Sequence, residues 1–502
     1  MLGRKGFETK LFYKVSLMEM VPGDDFYRQV SKVLDLGFVY ERCKNLYGST
    51  GNPSIDPGVF YRMCLYGYFE GITHDRDLVR KVSDSLSARL FVGYDLDEEI
   101  PWHSTISRTR AKLSGEIFEE LFRRVLSMCV NAGLVSGGHQ SIDSTLVKAN
   151  ACLDSTVRKE PSLTVSEYIG RTLSENEEEG TDKQEELKGA DEGKGGQNGP
   201  VKLIETGGYP RNNISRYSNR DYYSPADPDS RIAFKKQNKT DLYYAEQISV
   251  DSYCNVITAV VATHADYTDS EALVGIAGRT RDNLEENGLE LNSLGADSNY
   301  YSEKNLKELT DKKVTAYIPT RSAKNCHGGI SKDRFIYDER SDRYVCPAGE
   351  SLSIYCRRED EITYKADIKT CKECRLREEC KPGKRGRSIR HSLYYGYVAS
   401  LKQRQRSFAY KEAMRIRKTT TEPVFADAKN NHGLRRLNVR GLDKAQKVFT
   451  LIAVVQNLKK LLRHTLKKKH ASEKYIQTRY MLTNLSREPY GALFTFSRPS
   501  IL

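Results

Sequence analysis

Three carboxylates stand where metal-assisted phosphate chemistry could use them. Asp143 lies in the string SIDST, Asp297 closes LGAD, and Glu422 sits in TTTEPVF inside the most basic stretch of the chain. Taken singly, each has a plain explanation as a turn residue, a helix cap or half of a surface ion pair. A lone acid inside a strand, however, is costly unless a partner or a metal ion offsets its desolvation. Taken together, hard oxygen ligands from separate elements suit Mg²⁺. Two such ions, about 3.5–4 Å apart, clamp an in-line phosphoryl displacement.

A second constellation is made of thiols. Cys371 and Cys374 are separated by two residues, Cys380 follows, and Cys346 precedes a proline upstream. Four thiolates at such spacing can close a tetrahedral zinc site, with Cys356 or His391 as substitutes for any one ligand. The surrounding stretch, residues 326–382, reads as short and polar, so a structural Zn²⁺ is expected to take the place of a core. Cys43, Cys64, Cys129, Cys152 and Cys254 read as free thiols.

The elements that must position these residues change character along the chain. Residues 1–135 read as helical: Leu78, Val82, Leu86 and Leu90 recur every four residues, and Asp56-Pro57 marks a helix start. Phe118, Leu121, Phe122, Val125 and Cys129 form a second helical stripe. Between them, Ser104 is expected to cap a short helix that carries Arg108 and Arg110 as exposed DNA-reading candidates. From residue 136 the periodicity shortens. Residues 140–147 read as a strand, 242–250 and 255–264 as a hairpin, and 294–297 and 314–318 as two strands around a helix. That order predicts an α/β fold with a mixed sheet. Helices return at 402–419 and 444–468.

Composition narrows the partners. The 502 residues hold 80 Lys plus Arg against 67 Asp plus Glu, a net charge of +13 that favours an acidic partner such as nucleic acid. Residues 381–470 are dense in Lys and Arg with only Glu412, Glu422, Asp427 and Asp443 against them, and tyrosines are interleaved, as a phosphate-backbone track requires. Lys418, Lys429, Arg435 and Arg436 are its DNA-binding candidates around Glu422. Residues 171–200 reverse the balance, and the acidic stretch 165–205 is expected to be disordered. No apolar run of about 18 residues exists, and the first residues lack a secretory leader, so a cytoplasmic chain away from membranes is expected. Phosphate-loop, dinucleotide-loop, zincin and serine-hydrolase motifs are absent, which removes those classes.

Longer strings carry a resemblance. IDPGVFYRMCLYGYFEGITHDRDL, EEIPWHSTISRTR, HQSIDSTLVKAN, ADPDSRIAFKKQNKTDLYYAEQISVDSYCNVITAV, LGADSNYYSEKNL and EPVFADAKNNHGLRRLNVRGLDKAQKVFTLIAVVQNLKKL occur in this order. The chain resembles bacterial insertion-sequence transposases of the DDE class over about residues 56–462. The resemblance implies an RNase H-like core whose catalytic and Mg²⁺-binding triad is Asp143, Asp297 and Glu422, with Mn²⁺ able to substitute. It also implies DNA as partner, at the element's terminal inverted repeats and at the target, a homodimer on that DNA, and location at the bacterial nucleoid. The related signature has Tyr seven and Arg four residues before the Glu and Lys seven after; here Arg415, Lys418 and Lys429 stand there, and only the Lys matches.

The implied organisation is a helical DNA-binding domain (1–135), a core in two parts (136–325 and 383–470), a zinc-ribbon-like insertion (326–382) and a tail (471–502). Two other readings remain at this point: a nuclease with the same core but no strand transfer, and a decayed or domesticated copy that binds DNA without cutting it.

Overall fold

The computed structural model describes residues 16–46, 54–159, 218–235, 239–320 and 329–485. The acidic stretch 165–205 and the end of the tail lie outside the described residues.

The helical part is built from short, capped segments. After α1 (Phe26–Val33) and α2 (Gly37–Cys43), Asp56 accepts the Val59 N–H at 3.0 Å and starts α3 (Pro57–Phe69), with Pro57 at the first turn where no donor is needed. The four-residue repeat from Leu78 to Leu90 does not form one helix. Ser85 adopts an extended backbone, ends α4 (Asp75–Asp84) and caps α5 (Leu86–Val92) by accepting the Ala88 N–H. The break re-aims the second half, so that Ala88, Phe91 and Val92 are buried while Leu86 and Leu90 are half-exposed. α6 (His103–Lys112) then leads to α7 (Gly115–Asn131), which buries the expected stripe of Phe118, Leu121, Phe122, Val125 and Cys129.

The core is a mixed sheet. Its central strand β1 (His139–Lys148) pairs antiparallel with β3 (Lys239–Asp251), Asp143 opposite Ile248, and parallel with β5 (Ser293–Gly295). β5 pairs parallel with β6 (Thr315–Tyr317). The far edge of β3 is shared by β2 (Arg231–Lys235) and β4 (Ile257–His264), the latter joined through a turn in which Asn255 takes a left-handed backbone. α8 (Asp269–Glu285) covers one face, and α9 (Glu303–Asp311) links β5 to β6. Neighbouring strand residues point to opposite faces, so Ser144, which bonds Asp269 on α8, and Asp143, which bonds α12 (Phe408–Asn431), put those helices on opposite sides.

The last helix, α13 (Leu442–Leu485), packs on α7 and β4, and a continuous apolar cluster runs from the helical part through the sheet into it. Phe118 and Phe449 are fully buried within that cluster, each contributing roughly 1.5–3 kcal/mol. The start of α13 explains the DPDS string. Asp227 accepts from the Tyr244 hydroxyl at 2.6 Å and the Gly441 N–H at 2.9 Å, while Asp229 accepts the Leu442 N–H at 2.9 Å.

The insertion differs from the sequence expectation. It is a five-stranded antiparallel sheet: β7 (Ile336–Asp338), β8 (Arg343–Val345), β9 (Ser351–Arg357), β10 (Glu361–Ala366) and β11 (Ser388–Ser392), paired in chain order. It therefore runs past residue 382, because β11 is needed to cover β10. It also has its own core of Phe335, Tyr344, Leu352, Ile362, Tyr364 and Ile389, drawn from alternate strand positions that a polarity count conceals. α10 (Ile368–Lys372) lies between β10 and β11, and α11 (Tyr395–Arg404) returns the chain to the core.

The helical part and the core meet at a tight seam. His432, whose side chain is fully buried, contacts the Tyr68 carbonyl through Nδ1 at 2.7 Å and Asp427 through Nε2 at 3.1 Å. Burial alone would raise the Asp427 pKa, but hydrogen bonds from Asn431 and Gln456, with His432 and Lys459 beside it, hold it at about 2. Gly433 has φ +74°, and a Cβ there would lie 2.2 Å from Thr73 Cγ2. Gly433→Ala is expected to cost at least about 1–2 kcal/mol from the left-handed backbone, plus the clash. Adding Thr73→Ser, which removes the opposing methyl, should recover only the clash part; urea unfolding of the single and double variants measures both.

Candidate active site

Asp143 sits mid-strand on the face covered by α12, with its side chain 19 % exposed. Its Oδ2 accepts from Arg417 Nη1 at 2.8 Å and from the Thr421 hydroxyl at 2.9 Å, and its Oδ1 from the Ser144 N–H at 2.9 Å. Arg417 and Thr421 are one helical turn apart, so the same stripe of α12 reaches the carboxylate twice. Burial raises the Asp143 pKa; Arg417 and these hydrogen bonds oppose the rise, and the charge of nearby Asp297 adds to it.

Asp297 comes just after β5, the parallel neighbour of β1. It caps a short 3₁₀ turn by accepting the Asn299 N–H at 2.8 Å. Tyr300, fully buried behind it, donates to Gln247 at 2.5 Å, and Gln247 in turn donates to Asp269. The charges of Asp269, Asp143 and Asp297 add to burial in raising the Tyr300 pKa, which places the tyrosine among all three acids.

Glu422 is on α12, one residue beyond Thr421, and its side chain is exposed. A helix turns about 100° per residue, so the stripe that brings Arg417 and Thr421 to Asp143 leaves Glu422 on its flank. Pro423 follows it inside the helix, where the missing N–H weakens the hydrogen-bond ladder at that turn. Among the described residues, no group of three or more His, Cys, Asp or Glu side chains is placed to hold a metal ion. Asp143 and Asp297 are thus brought into electrostatic reach of one another, and Glu422 stands beside them without closing a triad. The donor set still suits a hard cation. The half-buried Asp143 already takes a full positive charge from Arg417, and all three acids offer oxygen only.

Lys429, seven residues after Glu422, donates to the Thr145 hydroxyl, on the same face of β1 as Asp143. Opposite Thr145 in the sheet is Glu246, 3 % exposed, whose pKa burial raises to about 8 against the pull of Lys429. Arg417, Thr421 and Glu246 were not candidates from the sequence. The first two could have been found from the i, i+4 spacing just before Glu422; Glu246 carries no sequence signal, because its burial depends on α12.

The basic candidates divide. Arg108, Lys418, Arg435 and Arg436 are exposed. Arg110 is not: it is 9 % exposed and forks onto Asp75 at 2.8 and 3.0 Å. Two residues apart on a helix means nearly opposite faces, so Arg108 and Arg110 cannot both face solvent. The sequence expectation of an exposed Arg110 is therefore corrected.

In the insertion, Cys346, Cys371, Cys374 and Cys380 line one small cavity together with Arg377 and Arg387. The Cys380 pKa is raised by burial, to which the charges of the other three thiols would add. The two proposed substitutes lie elsewhere: His391 is buried against Tyr344, Tyr337 and Tyr395, and Cys356 is on β9, outside that lining.

Residues 15–112 match a family model described as "Transposase domain", and residues 345–462 match one described as "Transposase DDE domain". Both matched segments are thus similar to transposase domains, the second of them of the DDE class. The first match contains Arg108 and Arg110; the second contains Glu422, Lys429 and all four clustered cysteines, and lies downstream of Asp143 and Asp297. No curated protein matches the chain. Among solved structures, a piggyBac transposase synaptic complex with hairpin DNA, determined by cryo-EM, is similar at 10 % identity and a TM-score of 0.35, covering 89 % of this chain and 77 % of that one. No helix among the described residues is long and apolar enough to cross a membrane.

The buried Glu246 makes stability depend on pH in a stated direction. Its folded pKa of about 8 exceeds the ordinary 4.5, so between those values the folded chain keeps a proton that the unfolded chain has lost. Its contribution to stability therefore falls as pH rises through that window. Glu246→Gln should flatten this fall, measured as urea midpoints from pH 5 to 8. A variant slope equal to that of the parent chain would mean that Glu246 is ionised beside Lys429.

Proposed function

We propose that this chain is a DNA transposase with an RNase H-like core, which cuts DNA at the ends of its element and joins the freed ends to target DNA. The observation that carries this reading is the convergence of Asp143 on the central strand and Asp297 at the end of its parallel neighbour. α12, which bears Glu422, lies across them. The order of strands, with one antiparallel edge and a helix bearing the third acid, supports the RNase H-like assignment, and the two transposase family matches support the class.

Asp143 and Asp297 would hold Mg²⁺, and the exposed Glu422 would reach in from the adjoining turn. When bound, Mg²⁺ stabilises the charge that develops on the attacking and departing oxygens. The chain's own groups do the rest. Arg417 and Thr421 hold the Asp143 carboxylate in place, and Lys429, fixed to Thr145, presents a positive charge beside the phosphate. In the first step a water oxygen bonds to phosphorus and the P–O3′ bond breaks, releasing a 3′-hydroxyl. In the second, that hydroxyl oxygen bonds to a target phosphorus and displaces the target's own 3′ oxygen, so bond number is conserved. Lys418, Arg435, Arg436 and, on the helical part, Arg108 would carry the DNA backbone. Pairing two ends calls for a homodimer, and nothing in the chemistry calls for a membrane.

Asp143→Asn, Asp297→Asn and Glu422→Gln should each reduce Mg²⁺-dependent cleavage of end DNA by at least about 10³-fold while leaving DNA affinity intact, since each removes a negative charge near phosphate. Cleavage and joining assays beside a binding titration test this. Near-parental cleavage in any variant removes that residue from the site, and cleavage without joined products favours the nuclease reading.

In the insertion the four thiols line one cavity but form no closed ligand group among the described residues, and a structural Zn²⁺ drawing them together is the proposal. Reduced, freshly purified chain should carry about one zinc per chain. Cys371→Ser with Cys374→Ser should lose it and expose the insertion to proteolysis first. Metal analysis that finds none in the parental chain overturns the assignment.

A further inference from the structure

At the seam between the helical part and the core lies a cavity of about 120 Å³, walled by Thr73, His74 and Asp75 on one side and by residues 436–439 on the other. Its lining is unusual in charge. The carboxylate in it, Asp75, has both oxygens taken by the forked Arg110, so it presents a neutralised pair and no free negative charge. The remaining polar groups can donate. Arg436 is exposed at the wall, and its side chain has no acid partner among the described residues. Asn438 Nδ2 is buried without a hydrogen-bond partner. His74 precedes the ten-residue α4 and makes no side-chain capping bond, so the first N–H groups of that helix remain available as donors, with the acids of its first turn, Asp75 and Asp77, paired to Arg110 and Arg80. A buried donor without an acceptor is unfavourable, a cost that a bound oxygen ligand removes.

We propose that this cavity is a phosphate-group site, distinct from the carboxylate site on β1. The space holds a few waters or one tetrahedral oxyanion. Guanidinium, amide and helix N-terminus together recognise a group with several acceptor oxygens and a negative charge. The site sits where Arg436 follows the catalytic helix and where the helical part meets the core. A DNA backbone phosphate seated there would touch both parts at once and clamp the seam closed. Free phosphate offers the same chemistry, so the source is part of the test. The DNA arm rests on the transposase reading; the phosphate arm does not.

The experiment uses the full chain. Inorganic phosphate, at constant ionic strength against chloride, should raise Tm. Arg436→Gln and, separately, the near-isosteric Asn438→Asp should weaken that response about tenfold in phosphate concentration. Arg340→Gln, an exposed arginine of the insertion outside the cavity lining, should leave it unchanged. In the second arm, duplex end DNA carries a single uncharged methylphosphonate moved position by position. One position should cost the parental chain about tenfold in affinity and cost Arg436→Gln nothing further. A response in both arms identifies a DNA phosphate; a response to inorganic phosphate alone identifies a free phosphate ligand. If the variants leave the phosphate response at the parental level and no methylphosphonate position loses its effect in Arg436→Gln, the site is overturned. That last result with cleavage intact would leave the transposase reading standing.

Discussion

A half-buried carboxylate in the middle of a sheet sets the terms for the rest of this molecule. Asp143 cannot be left alone on the central strand, and the groups that satisfy it, Arg417 and Thr421, come from a helix far along the chain. Docking α12 on β1 therefore does two things at once. It settles the desolvated charge, and it sets Glu422 and Lys429 at a defined height above the strand ends. Asp297 arrives by a separate route, as the cap of the turn after the parallel strand β5. The site is thus an outcome of sheet order and helix docking together, and neither alone would assemble it.

The same helix is held at its other end by a different kind of contact. Where Arg417 and Thr421 answer a charge, the C-terminal end of α12 is locked by the buried His432 between the Tyr68 carbonyl and Asp427. Glycine at 433 lets the helical part approach to van der Waals distance. The helical part and the face that bears Asp143 consequently share one rigid element. Whatever the helical part grips is held in fixed relation to Asp143, as the proposed cleavage of one particular phosphate requires.

The insertion shows how composition can mislead. Its strands are short and mostly polar, yet Ile362, Tyr364 and Ala366 alternate inward along β10 and meet Tyr344, Leu352 and Ile389 from their neighbours. Several of its core residues are tyrosines whose hydroxyls need partners; Tyr337 and Tyr364 both reach Asp342, and Tyr344 reaches His391. A polar rim around an aromatic core lets a small sheet fold while appearing hydrophilic in sequence. The four clustered thiols sit at one end of this sheet, beside its core.

Local physics made much of this chain legible without coordinates. The Asp56-Pro57 start of α3, the buried stripe of α7, the hairpin turning at Asn255 and the placement of Asp143 on a strand all follow from spacing of a few residues, because backbone periodicity and capping are short-range. Short-range rules also misjudged two places. A four-residue repeat could not reveal that Ser85 would break it, and a pair of arginines two apart could not both be exposed once a helix formed. What only the tertiary structure decided were the relations across hundreds of residues. Arg417 answers Asp143, Asp75 neutralises Arg110, α12 buries Glu246, and Glu422 stands on the flank of its helix facing water. Burial and ion pairing depend on which surfaces meet, and that is settled by the packing of the whole chain.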